Sequence, residues 1–194
     1  VFDAKSIFRF YWKHAMRPYV SHMFTCSKIA GEWLFGKKES KKAIMMNNAI
    51  DSKKFSYSED KSKAMKKELG VENKFVIGHV GRFNIQKNHE FVIDTFNEIR
   101  KKNSDSVLLL AGAGELEEKI KEKVKNLNLE DSVLFLGSRS DINDVMQAFD
   151  VFLFPSIFEG LGVVLIEAQA AGLRCFTSEG AVPLEAKVTN LLSY

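Results

Sequence analysis

The chain has 194 residues, 45% of them apolar and 27% charged, with a formal net charge of +3. That length and balance suit one well-packed domain, or one domain plus part of another, and exclude a disordered chain. No apolar run approaches the ~20 residues needed to span a bilayer, and the two cysteines, Cys26 and Cys175, are too few and too far apart for a disulfide framework or a zinc site.

Taken in order, Phe2–Tyr19 reads as a helix, with Ile7, Phe8, Tyr11, Trp12, Ala15 and Met16 at i, i+3, i+4 spacing and Pro18 limiting its far end. Lys5, Arg9, Lys13 and Arg17 recur every fourth position and form one basic stripe. A short strand, His22–Cys26, follows. Ser27 then suits the N-cap of a helix over Lys28–Phe35 that Gly36 ends, and Lys42–Met46 reads as another strand. Asn47–Tyr57 is polar and turn-like, the best candidate for a domain boundary. Residues 1–70 carry a balance of +8 and residues 71–194 one of −5, which points to an anionic partner near the front.

From Glu59 the pattern becomes regular. A charged helix, Glu59–Leu69, stops at Gly70 and leads into the apolar run Phe75–Val80. Helix 88–102, strand 106–111, helix 115–127, strand 132–136, helix 141–149, strand 151–154, helix 160–171 and strand 174–177 then alternate, and Lys187–Tyr194 shows no closing helix. Strands that are apolar throughout, separated by amphipathic helices, predict a doubly wound α/β domain with a parallel sheet covered on both faces. Ligands of such sheets bind outside the carboxyl ends of the strands, so the loops that follow the strands carry the candidate site.

Three of those loops are informative. Gly81–Asn88 places Arg82, a planar fork, and Lys87, a point charge, between a strand end and a helix start, a pairing suited to a diphosphate or to plain solvated surface cations. Gly112-Ala113-Gly114 is two-thirds of a dinucleotide fingerprint, but Glu117 stands where the third glycine belongs, so a tight strand-to-helix turn is the better reading. The stretch Pro155–Glu167 holds Glu159 just before a helix and Glu167 eight residues on, ~12 Å away if the rise is helical throughout. Gly160 and Gly162 would let a ligand approach the backbone closely. Glu159 could equally complement the helix dipole. Glu167, however, interrupts an otherwise apolar helix, and a buried carboxylate demands a partner. His14, His22, His79 and His89 form no metal spacing and read as satisfied structural side chains, and no Asp-x-Asp type of carboxylate pair for a divalent cation is present.

Arg82-x4-Lys87 followed by Glu159-x7-Glu167, on successive loops of a doubly wound sheet, resembles glycosyltransferase family 4 of GT-B architecture. The runs Gly81-Arg82-Phe83, Gln86-Lys87-Asn88-His89, Ala111–Leu116 and Phe135-Leu136-Gly137 add to the resemblance, which covers the chain from about Phe75 onward. It implies that residues 51–194 are a nucleotide-sugar-binding Rossmann-like domain lacking its returning C-terminal helices. Residues 1–50, with Phe24-Thr25-Cys26-Ser27 and Asn47–Asp51, would be the tail of an acceptor domain and its linker. Val1 in place of methionine fits a chain cut short at both ends.

The resemblance further implies a retaining transferase that moves a sugar from a nucleoside-diphosphate sugar to a glycan or lipid-linked acceptor, in polysaccharide or cell-surface glycan assembly. Arg82 and Lys87 would bind the diphosphate, and Glu159 would hold sugar hydroxyls at the reacting face. Backbone N–H groups over Gly160, Leu161, Gly162, Val163 and Val164 would cradle sugar and phosphates. Glu167 would accept from the ribose, and Ser138 and Arg139 would lie against the base. No metal, no other cofactor and no nucleic-acid partner are implied. A non-catalytic nucleotide-sugar-binding or assembly subunit, and another GT-B enzyme of epimerase or phosphorylase type, are the rival readings. The expected setting is cytoplasmic, with reduced cysteines. The basic stripe beside Phe8, Tyr11 and Trp12 is either an interfacial helix meeting the inner membrane face or a solvated domain edge.

Overall fold

The computed structural model describes residues 17–194 together with Phe8, Tyr11, Trp12 and Ala15. Those four are helical, but the rest of the helix expected over Phe2–Tyr19 and the side chains of the basic stripe lie outside the described residues. Arg17–Tyr19 form a 3-10 turn around Pro18. The chain divides into two compact units, Val1–Ala49 and Ile50–Tyr194.

In the first unit, β1 (Phe24–Thr25) and β2 (Ile44–Met45) pair in parallel. Between them run α1 (Lys28–Phe35) and a 3-10 turn, Glu39–Lys42. Local chemistry bounds α1 at both ends: the Ser27 hydroxyl accepts from the Ala30 N–H at 3.1 Å, and Gly36 leaves the helix with a φ of 83°.

The second unit opens with α2 (Ser52–Phe55), a short helix inside the polar stretch expected to be a turn, and α3 (Glu59–Glu68). Next come β3 (Phe75–Val80), α4 (His89–Lys102), β4 (Ser106–Ala111), α5 (Glu117–Asn126) and β5 (Val133–Gly137). The chain then continues through α6 (Ile142–Val145), β6 (Val151–Phe154), α7 (Val163–Ala170), β7 (Arg174–Thr177) and β8 (Leu192–Ser193). The six strands β3 to β8 form one all-parallel sheet in the order β5-β4-β3-β6-β7-β8. β8 is a two-residue edge strand, too short for an apolar pattern to announce it. The helix expected over 141–149 is α6 followed by a 3-10 turn, Met146–Ala148, because Phe149 is already extended on its way into β6.

Every residue of β4 is buried, as befits a strand covered on both faces. On one face Ile77, Leu108, Leu110 and Val133 pack against Val92, Ile93 and Phe96 of α4 and Ile120 and Val124 of α5. The buried positions His89, Val92, Ile93 and Phe96 follow the i, i+3, i+4, i+7 stripe that makes α4 helical. On β3, Gly78 pairs with Phe152 of β6, and a Cβ built at Gly78 would lie 2.0 Å from the Phe149 ring. Overpacking so close to the central strand forces ring or backbone displacement. Gly78→Ala should therefore lower stability by about 2 kcal/mol or more in urea unfolding, and an unchanged midpoint would show that Phe149 does not fix this contact.

Candidate functional site

The chain runs outward from β3 through β4 to β5 and then returns to lay β6 on the other side of β3, so the strand order reverses between β3 and β6. At such a switch point the loops leaving neighbouring strands diverge and open a crevice at their carboxyl ends. Here those loops are 81–88 and 155–162.

The first loop is shaped by amides. The Asn84 side chain accepts from the Lys87 N–H at 3.1 Å and so caps a 3-10 turn over Ile85–Lys87. Asn88 then takes the left-handed conformation, φ 55°, before α4 begins at His89. Three hydrogen bonds stitch this loop to the second one: Ile157 N–H to Gln86 O at 2.9 Å, Gln86 Nε2 to Phe158 O at 3.0 Å, and Asn88 Nδ2 to Pro155 O at 3.2 Å. Sequence reasoning used Gln86 and Asn88 only as part of a motif. Their work as cross-loop ties is legible only once β6 is known to lie beside β3.

These ties bring Lys87 and Glu159 together. Lys87 Nζ lies 2.6 Å from Glu159 Oε1, with 17% and 7% of the two side chains exposed. The ammonium also sits 4.5 Å from the centre of the Phe154 ring, on the strand below. The Glu159 N–H donates to Ala181 O at 2.9 Å, which anchors the carboxylate to the loop after β7. Gly81 leaves room for the lysine stem, since a Cβ there would meet Lys87 Cγ at 3.0 Å and His79 Nε2 at 3.2 Å.

The remaining expected residues fall into different settings. Arg82 is exposed and forms no ion pair among the described residues. α7 begins at Val163, not at residue 160 as expected: Gly160 and Leu161 belong to the loop, and Gly162, with φ 79° and no capping side chain, is the N-cap. The ~12 Å helical spacing of Glu159 and Glu167 therefore does not hold, because a left-handed glycine interrupts the path. Leu165 N–H donates to Gly162 O at 2.9 Å, and with no capping side chain the N–H groups of Val163 and Val164 are left for another acceptor. Glu167 is half-buried, makes no ion pair among the described residues, and has its carboxyl pushed above the usual range by burial. Ser138 is exposed at the end of β5. The Arg139 guanidinium clamps Asp141 (Nε to Oδ1 2.8 Å, Nη2 to Oδ2 2.6 Å) and reaches Glu68 at 3.4 Å, so it is paired within the protein while 27% of its side chain stays exposed. The glycines of residues 112–114 are structural: a Cβ at Gly112 would lie 2.0 Å from Gly81 O, and one at Gly114 2.5 Å from Phe83 O.

Two of the histidines correct the expectation of satisfied side chains; His14 lies outside the described residues. His79 is fully buried and its Nδ1 lies 2.8 Å from Leu153 O, yet among the described residues its Nε2 has no partner, and neither nitrogen of His89, 2% exposed, has one. The two rings meet edge to face at 4.6 Å, and His89 stacks on Phe83 at 4.0 Å. Burial, opposed for His79 by the Leu153 carbonyl, lowers the His79 pKa to about 4; burial and then the neighbouring His79 and Lys87 lower that of His89 to about 3. Two neutral imidazoles therefore floor the crevice beside Lys87.

The family model described as glycosyl transferases group 1 matches residues 60–189. The chain belongs to that family. Among its group 1 relatives, EpsF of Bacillus subtilis (strain 168), provisionally named a glycosyltransferase, is 38% identical over 157 residues, covering 79% of this chain and 41% of EpsF. The Escherichia coli UDP-Gal:alpha-D-GlcNAc-diphosphoundecaprenol alpha-1,3-galactosyltransferase is 36% identical over 141 residues, 71% of this chain and 36% of that protein. The chain thus spans about two fifths of the length of the curated relatives it matches. The crystal structure of Anabaena HepE in complex with UDP and glucose superposes with a TM-score of 0.80 at 22% identity, covering 88% of this chain and 48% of HepE, a likeness of fold. Among the described residues no helix is long and apolar enough to cross a membrane.

The depressed histidines make stability pH-dependent with a definite sign. Unfolded imidazoles bind protons near their ordinary pKa of 6.5, while the folded ones resist until about 4 and about 3. Their contribution is present above pH 6.5 and is lost as pH falls toward the folded values, with a slope approaching ~1.4 kcal/mol per pH unit for each ring. Denaturant unfolding between pH 7 and pH 4 should show that slope, and His79→Asn should remove one ring's share. A slope identical in the variant would show that His79 titrates alike in both states.

Proposed function

We propose that this chain is the donor-binding part of a retaining glycosyltransferase that passes a sugar from a nucleoside-diphosphate sugar to a glycan or lipid-linked acceptor. The observation that carries the reading is the convergence of Lys87 and Glu159, 2.6 Å apart, in the crevice where the strand order reverses. A transferase of this kind needs cations for the diphosphate and a carboxylate for the sugar, held side by side. Family membership supports the reading, and the names of the relatives give its chemistry a precedent. The E. coli protein's name specifies a UDP-galactose donor and a diphosphoundecaprenol-linked acceptor, and HepE is seen with UDP and glucose.

In this reading Arg82 and Lys87 bind the diphosphate and offset charge on the departing nucleoside diphosphate. The N–H groups from Leu161 to Val164, leading into the start of α7, add donors, and α7 adds a helix dipole directed at the phosphates. Together they supply the electrostatic stabilisation that a divalent cation supplies elsewhere. Glu159 accepts from sugar hydroxyls and supports positive charge developing at the anomeric carbon. Glu167, half-buried and without a charged partner among the described residues, accepts from the ribose hydroxyls and regains in the complex the hydrogen bonds that its burial removes. The loop at Ser138 lies against the base.

Two measurements on the full-length protein test these roles. Arg82→Ala and Glu167→Ala should each weaken nucleoside-diphosphate binding by ~1.5–3 kcal/mol, equally with magnesium or with a chelator present. Unchanged calorimetric affinity in both folded variants would remove the assignment. Glu159→Gln keeps size but removes charge, and should cut turnover ~10²-fold or more while donor affinity is nearly kept. Normal turnover with normal donor binding would make Glu159 a positioning group for the loop and no more.

A further inference from the structure

Lys87 and Glu159 are each other's counter-ion, and among the described residues neither forms another ion pair. The ammonium also faces the Phe154 ring at 4.5 Å and lies near the imidazoles of His79 and His89, which burial keeps neutral. Among the described residues no second carboxylate pairs with Lys87. The carboxylate has little freedom to leave: its side chain is 7% exposed, and its backbone is fixed to Ala181 O at 2.9 Å. Arg82, five residues earlier in the same loop, is exposed and unpaired among the described residues, and so meets a ligand without a competitor.

We propose that the Glu159 charge sets the preference of this crevice for a sugar-bearing nucleotide over the free nucleoside diphosphate, by competing with the diphosphate for Lys87. This rests on the reading of the crevice as a nucleoside-diphosphate-sugar site. A diphosphate that draws Lys87 to itself leaves a buried carboxylate without its counter-ion. A buried charge deprived of its partner is costly. A donor sugar offsets that cost by presenting hydroxyl groups that donate to the carboxylate. The free nucleoside diphosphate has nothing to donate there, so after transfer the restored Lys87–Glu159 pair favours its departure.

Calorimetry on the full-length protein without magnesium, using UDP, GDP and ADP as free nucleotides and UDP-glucose and GDP-mannose as sugar-bearing probes, reads this directly. Glu159→Gln should bind whichever free nucleotide the wild type binds about tenfold more tightly, while affinity for the matching sugar nucleotide changes less than about threefold. Glu159→Ala is measured in parallel, because it removes the same charge without adding amide donors. In a Lys87→Met background the tightening should vanish. Free-nucleotide affinity that is unchanged or weaker in both folded Glu159 variants overturns the proposal, as does tightening that persists without Lys87. Failure of every probe to bind wild type and variants alike overturns the donor-site reading itself, a result distinct from binding without tightening.

Discussion

The site exists because β6 lies against β3, and β6 can lie there because Gly78 offers no side chain at the point where the Phe149 ring packs. A strand buried on both faces normally fills each position with a branched apolar residue. β3 gives up one such contact so that the segment entering β6 can pack flush, and Phe152 then pairs with Gly78 in register. That pairing turns the strand order back on itself and opens the crevice. It also sets loop 155–162 close enough to loop 81–88 for three backbone and amide hydrogen bonds to join them. Without that reversal Lys87 and Glu159, seventy-two residues apart in sequence, would have no reason to meet.

The electrostatics of the crevice fit function better than stability. Burying an ion pair gives up hydration that mutual attraction only partly restores, so a pair such as Lys87–Glu159 is weak support for the fold. The buried His79 and His89, three of whose ring nitrogens have no hydrogen-bond partner among the described residues, add a further cost. Costs of this kind gathered beside one ion pair fit a place shaped for a ligand. The neutrality of His79 and His89 has a specific consequence. It leaves Lys87 as the buried positive charge of the crevice and Arg82 as an exposed one in the same loop.

Much of this was legible in the sequence because the strands are continuous apolar runs and the helices carry clear stripes. Phe75–Val80, 106–111, 151–154 and 174–177 were bounded correctly for that reason. Loop positions for Arg82, Lys87 and Glu159 followed from the alternation alone. What periodicity could not supply was long-range: the Lys87–Glu159 contact depends on strand order, which no local pattern encodes. Arg139 is held by the carboxylate of Asp141, two residues away, a pairing that no strand or helix period encodes. The start of α7 was misplaced because apolar residues run through Leu161, while the left-handed Gly162 holds the helix off until Val163.

The glycines of residues 81, 112 and 114 show how packing, and not ligand cradling, can explain a glycine-rich turn. Gly112 runs so close to Gly81 O that a side chain on it would overlap the carbonyl, and Gly114 does the same against the backbone of Phe83. Hydrogen bonds from Gly81 N–H to Ala111 O at 2.9 Å, from Phe83 N–H to Ala113 O at 3.2 Å and from Leu116 N–H to Phe83 O at 3.0 Å lock the two turns together. Phe83 is thereby drawn inward onto His89 while its neighbour Arg82 is left outward. A turn that resembles a phosphate loop therefore acts one step removed: it buttresses the backbone that presents Arg82. The closeness of two backbones is the physical reason it must be made of glycine.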